Sequence, residues 1–242
     1  TVGAVLAAGA VYATASWTYS GATGPDHWAD LDPSYALCAD GTAQSPINLK
    51  KTTKSKIKNI AFDYTTDTAE VFNNGHTVEA EPLDETNTIT IGGVEYACLQ
   101  FHFHADSEHE IAGKSYPLEI HFVHKAEDGS LAVVGIMVKQ GKKNKAWQSF
   151  VDVIDSATAN AADTEIEINW NSLLPKKRTT YRYAGSLTTP GCAEGVAWNV
   201  MTQPIQMSKA QIKAFTDAYS DNNRPVQPRN GREIKLDISP NK

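Results

Sequence analysis

Four of the chain's seven histidines fall between positions 102 and 121. In Gln100-Phe101-His102-Phe103-His104 the imidazoles alternate with phenylalanines. The two-residue period of a β-strand puts His102 and His104 on one face and Phe101 and Phe103 on the other. A second β-prone run, 118 to 124, carries His121. Gly113 and Pro117 in the intervening stretch provide for an antiparallel return that brings this third imidazole beside the first two. Three neutral imidazoles suit Zn²⁺ and leave the fourth tetrahedral position to water, the pattern of a catalytic rather than a structural metal. Gln100 and Glu119 each precede a ligand candidate by two residues and share its strand face, placed to accept the free ring N–H and fix the tautomer.

The run His102-x-His104-x-Asp106 also resembles the opening of metallo-β-lactamase-type dizinc hydrolases. There a histidine follows the aspartate directly, whereas here Ser107 does, and the αβ/βα sandwich of those enzymes is not suggested by the rest of the chain. Three cysteines, Cys38, Cys98 and Cys192, show no C-x-x-C spacing. They argue against a thiolate zinc site and leave room for one bridge and one free thiol.

The elements that must hold these residues are mainly strands. Apolar or alternating bursts occur at 88–91, 94–104, 118–124, 131–139 and 196–204, and Gly92-Gly93 reads as a hairpin turn between the first two. Helical periodicity appears twice. Trp147, Phe150, Val151 and Ile154 line one face of 144–157, and Ser208 with Gln211 forms a capping box ahead of Ile212, Phe215 and Tyr219. With 242 residues, 41% hydrophobic and 21% charged, and no linker after residue 20, the expectation is one β-dominated α+β domain with peripheral helices over 17–242. Residues 1–16 are apolar and uncharged and read as a targeting remnant.

A formal charge of -6 argues against a nucleic-acid surface. The one notable basic cluster along the chain, Lys50 to Lys58, interleaves with Thr and Ser and reads as solvated. No apolar run reaches the roughly 18 residues of a bilayer-spanning helix. The expected partner is small or neutral.

Several separated segments resemble one family, the α-class carbonic anhydrases. They are Gly24-Pro25-Asp26-His27-Trp28, Gln44-Ser45-Pro46-Ile47-Asn48, Asn73-Asn74-Gly75-His76, the His102 and His104 run, Ser107-Glu108-His109, Glu119-Ile120-His121-Phe122-Val123-His124, Ser186-Leu187-Thr188-Thr189-Pro190, and Asn222-Asn223-Arg224-Pro225-Val226-Gln227-Pro228. They run in the family's order from about residue 17 to the end of the chain. The resemblance implies a large, twisted, mostly antiparallel central sheet with a conical cavity reaching zinc at its floor. It implies reversible hydration of carbon dioxide to bicarbonate by zinc-bound hydroxide, with sulfonamides and anions as inhibitors at the metal.

Residue by residue, His102, His104 and His121 resemble the zinc ligands, and Gln100 and Glu119 their hydrogen-bond acceptors. Thr188 resembles the residue that accepts a hydrogen bond from the hydroxide and donates its own proton to Glu108. Val123, Val133, Leu187 and Trp198 resemble the apolar wall where carbon dioxide rests. His76 resembles the proton shuttle at the cavity mouth, with Tyr19, Asn74 and Thr189 ordering the water between it and the metal. Cys38 and Cys192 correspond to a pair bridged in extracellular and lumenal members, which implies a secreted, periplasmic or thylakoid-lumen location; Cys98 would stay a buried thiol. His27, His109 and His124 read as structural. The alternative is an inactive binding or adhesion module on the same scaffold. Three departures from the animal members stand out: the segment between His104 and His121 is short, Ala105 replaces an aromatic, and Glu79 puts an acid on the shuttle side of the cavity.

Overall fold

The structure is a computed structural model that describes residues 16–84, 86–154 and 164–240. The apolar N-terminal segment, Ser16 excepted, and the last residues of the 144–157 helical pattern lie outside the described residues.

The long strands expected from the sequence form with small shifts at their ends: Thr88–Ile91, Val94–His104, Leu118–Lys125, Leu131–Gln140 and Glu194–Met201. They belong to a 13-stranded sheet. Across its middle, Thr164–Asn169, Thr66–Asn73, Val78–Pro82, Val94–His104, Leu118–Lys125 and Leu131–Gln140 lie side by side and antiparallel. Leu131–Gln140 then pairs in parallel with Glu194–Met201 and Ile205–Met207, so the sheet is mixed although mostly antiparallel. Gly92 and Gly93 both take positive φ, 62° and 95°, where a side chain would be strained, and make the tight turn into the Val94–His104 strand.

Both helical patterns form. Gln148–Val153 buries Phe150, and Lys209–Ala218 buries Phe215 and starts at the expected capping box, Ser208 Oγ accepting from Gln211 N–H while the Gln211 side chain accepts from Ser208 N–H. These helices cover the sheet face to which Phe101 and Phe103 point. Phe101 meets Trp147, Phe150 and Trp170 at 5.0–5.4 Å between ring centroids, and Phe103 meets Phe215 at 4.8 Å. Such edge-on aromatic packing fixes the strand's height and rotation. The opposite face carries His102 and His104. There a second apolar cluster around Ile47, Leu49, Met137, Tyr183, Val196 and Trp198 leaves a recess beside the histidines.

Candidate metal centre and its cavity

His102 and His121 are direct cross-strand partners, and His104 lies two residues along the same face. One ligand nitrogen from each of the three lies within 4.8 Å of the others. The rings meet at 79°, 88° and 51°, edges converging rather than faces stacking.

Two of the three rings are aimed by a hydrogen bond on the far side. His102 Nδ1–H donates to Gln100 Oε1 at 2.8 Å, and His104 Nδ1–H donates to the main-chain carbonyl of Asn222 at 2.7 Å. Because both acceptors are carbonyl oxygens, both Nδ1 atoms carry the proton and both Nε2 atoms carry a bare lone pair. Those two Nε2 atoms stand 3.1 Å apart. Two lone pairs at that distance repel unless a cation sits against both, so the donor set fits a metal ion. His121 Nε2 lies 3.0 Å from Glu119 Oε1 but off the line of a hydrogen bond. Burial, then the neighbouring imidazoles, holds His102 well below its ordinary pKa. Burial also lowers His104, Glu108 opposing it. Neutral imidazole is the ligating form.

Burial alone would raise the Glu119 carboxyl, yet His109 and His121 beside it hold it well below the ordinary carboxylate range. His109 donates twice to that carboxylate, from its backbone N–H to Oε2 and from Nδ1–H to Oε1, both at 2.8 Å. Its Nε2 then accepts from the Tyr183 hydroxyl at 2.6 Å. His109, Glu119 and His121 also bring three ligand-type atoms together. In that group the Glu119 oxygens and both His109 ring nitrogens are already engaged, which leaves it a support for His121 rather than a second ion site.

Glu108 is buried beside the triad. Its Oε1 accepts from Arg224 N–H at 2.8 Å, while Oε2 has no hydrogen-bond partner and lies 4.0 Å from His121 Nδ1. Thr188 is buried on the cavity lining, but the bond from its hydroxyl to Glu108 that the resemblance implies is not formed here.

The recess above the triad is a cavity of about 300 Å³. It has two unlike walls. Val123, Val133, Leu187 and Trp198 form the apolar one, and Tyr19, Asn74, His76, Thr77, Glu79 and Gln100 form the polar one. Thr189 also lines it. Burial, with Glu81 next, pushes the Glu79 carboxyl up to about 7.

His76 sits in the Asn-Asn-Gly-His turn, where Gly75 takes φ +90°. Asn74 Oδ1 accepts from His76 N–H and Thr77 N–H, both at 2.9 Å. Both lone pairs of that side-chain oxygen are therefore engaged in the turn. The His76 ring stacks on Trp17, 3.6 Å between centroids at 8°. Partial burial lowers its pKa. Tyr19 stands between His76 and His104, 6.5 Å from each ring.

Cys38 and Cys192 are bridged, and Cys98 is a buried free thiol. Next to the bridge, Arg224 reaches Gln44 Oε1 and Ser45 O at 2.8 Å and Cys38 O at 3.0 Å, and Gln44 Nε2–H donates to Cys192 O. The fully buried guanidinium, pushed down to about 10 by its burial, thus links the disulfide to the segment that holds Glu108. In the sequence, Gln44, Ser45, Asn222 and Arg224 stand out only as parts of motifs, and no local signal marks Trp17 or Tyr183.

The profile of the eukaryotic-type carbonic anhydrase family matches residues 23–238. A carbonic anhydrase of Klebsiella pneumoniae is 40% identical over 220 residues, 90% of this chain and 89% of that protein. The α-carbonic anhydrase of Thermovibrio ammonificans, solved with the inhibitor sulfanilamide, superposes with a TM-score of 0.85 at 39% identity, covering 91% of this chain and 99% of that one. Dioscorin, solved with ascorbate, superposes equally well, TM-score 0.85, at 30% identity over 94% of this chain and 100% of that one. Triad, cavity, sheet and relatives agree, and the chain belongs to the eukaryotic-type, or α-class, carbonic anhydrase family of zinc-dependent enzymes.

Proposed function

We propose that the chain catalyses reversible hydration of carbon dioxide to bicarbonate and a proton, at a zinc ion held by His102, His104 and His121. The observation that carries this reading is the pair of bare Nε2 lone pairs 3.1 Å apart, with His121 beside them, at the floor of a half-apolar cavity. Zinc held there supplies water ionised near neutral pH as the nucleophile, a chemistry for which carbonic anhydrase is itself the reference case.

The chain's own residues do the rest. Burial keeps the His102 and His104 imidazoles below their ordinary pKa, and Gln100, the Asn222 carbonyl and Glu119 aim the three rings. Val123, Val133, Leu187 and Trp198 seat carbon dioxide, a molecule with few hydrogen-bonding needs, against a dry wall. Glu108, clamped through Oε1 by Arg224 N–H, turns its partnerless Oε2 into the acceptor for the Thr188 hydroxyl proton. Thr188 then has only a lone pair to offer the nucleophile, which orients it. At the mouth, burial keeps His76 below its ordinary pKa, so the ring is neutral at pH 7 and takes up the departing proton. Tyr19 and Thr189 line the route. His76 hands the proton outward from its place on Trp17.

The sulfanilamide seen in the Thermovibrio relative is expected to bind at the same metal. The disulfide supports an oxidising, extracytoplasmic location. The intact triad disfavours an inactive binding module. Stopped-flow CO₂ hydration with zinc analysis tests the reading. One zinc per chain and sulfanilamide-sensitive activity are expected, both lost in His121→Ala. Zinc-loaded protein without activity, or stoichiometric zinc in His121→Ala, would overturn it.

A further inference from the structure

Lys50 to Lys58 is the basic cluster noted along the chain, yet the fold assembles a larger one. No Asp or Glu occurs between Asp128 and Asp152, between Glu167 and Glu194, or between Glu194 and Asp217. These three stretches hold ten of the 22 Lys and Arg and none of the 28 Asp and Glu, leaving 12 cations against 28 anions elsewhere.

The stretches are neighbours. Leu131–Gln140 pairs with Ile205–Met207, Lys139 opposite Gln206. Gln206 Oε1 accepts from Lys142 N–H, and the Gln206 carbonyl accepts from Asn144 Nδ2–H. Three residues earlier, Gln203 Oε1 accepts from Lys177 N–H at 2.8 Å, and Thr202 pairs with Thr179. Gln211 ties Asn144 to the first turn of Lys209–Ala218. Lys139, Lys142, Lys143, Lys145, Lys177 and Lys209 therefore crowd around the single segment 202–209, all of them exposed. None of the six forms an ion pair among the described residues.

We propose that this lysine face docks the enzyme on an anionic phospholipid surface. A specific protein epitope is anchored by buried aromatics and arginine forks, and single-stranded nucleic acid by stacking rings. The six residues are instead flexible point charges around Thr202, Gln203, Pro204 and Gln206. That chemistry matches a diffuse layer of phosphate headgroups, each lysine adding its own increment. The negative remainder of the chain orients the molecule, basic side inward.

Co-sedimentation of the full chain with phosphatidylcholine vesicles, with and without about one-third phosphatidylglycerol, tests this. Binding to the anionic vesicles alone is expected, weakening steeply with salt. Each Lys→Gln change should lower the partition coefficient about 5-fold, and the six-fold variant should fall to background with its circular dichroism and CO₂ hydration rate unchanged. Equal binding to both vesicle types, anionic binding retained by the six-fold variant, or capture by soluble dextran sulfate but not by vesicles would overturn the proposal. The proposal is independent of the zinc chemistry, since vesicle binding is read without turnover.

Discussion

Gly135 faces His121 across the sheet, and on the proposed reading of the metal site its missing side chain leaves room for the carboxylate beside that ligand. A Cβ built there lies 2.9 Å from Glu119 Oε1 and 3.3 Å from Val200 Cγ2, the first closer than such atoms approach one another. Glu119 has nowhere to retreat without loss, because Oε1 and Oε2 are both held at 2.8 Å by His109 and Oε1 stands 3.0 Å from His121 Nε2. Gly135→Ala should therefore move the carboxylate a few tenths of an ångström and loosen the support of His121. Losing the partner that orients a ligand histidine costs about 10- to 100-fold in metal affinity. The strand itself should not suffer, since alanine in ordinary extended backbone lowers the entropy of the unfolded chain. Zinc affinity by chelator competition, alongside urea melts of the apo protein, separates the two effects. A Gly135→Ala protein that binds zinc within about twofold of wild type would refute the idea that Glu119 is sterically fixed and acts through His121.

Acid should destabilise the fold through His124. Its Nε2 accepts from the Tyr64 hydroxyl at 2.5 Å, and burial pushes its pKa down to about 4. Because the unfolded chain protonates near pH 6.5, this contribution is whole above that pH and is lost as pH falls toward 4, by about 3 kcal/mol. Urea melts across that window check it, and His124→Gln should flatten the pH dependence. His76→Ala should lower kcat and leave kcat/KM nearly unchanged, imidazole buffer restoring the rate; equal loss of both would remove His76 from proton transfer. The Cys38–Cys192 bridge spans 154 residues, so its removal in a double Cys→Ser variant should cost about 5 kcal/mol on the chain-entropy account, read by urea titration under oxidising conditions.

The metal strand was readable because a period of two is a local rule: it placed His102, His104 and Gln100 on one face without knowledge of any other segment. The same rule put Glu119 beside His121, though His121 Nε2 lies off the line of a hydrogen bond to it. The acceptor for His104 was not readable, because it is a main-chain carbonyl 118 residues away, and a carbonyl has no side-chain signature. His109 read as structural, and its structural work proved to be holding Glu119. The Thr188 to Glu108 bond followed from resemblance alone, and the structure leaves Glu108 Oε2 unpaired. The strand Thr164–Asn169 alternates as clearly as any in the chain and lies outside the strands expected from the sequence. Thr66–Asn73 is polar and half-buried, so its pattern is weak. The lysine face was not legible as a whole for a different reason: Lys177 and Lys209 join the 139–145 lysines only through the pairing of Leu131–Gln140 with Ile205–Met207 and the bond from Lys177 N–H to Gln203.

The Val94–His104 strand turns phenylalanines to one side and histidines to the other, so its two sides share a single rigid backbone. Any tilt imposed from the aromatic side is transmitted to Nε2 atoms that must meet within fractions of an ångström. Trimming Phe101 or Phe103 should therefore announce itself as zinc leakage at temperatures where the polypeptide is still intact. Attempts to harden this enzyme by rebuilding its greasy underside will be adjusting the grip on its ion at the same time.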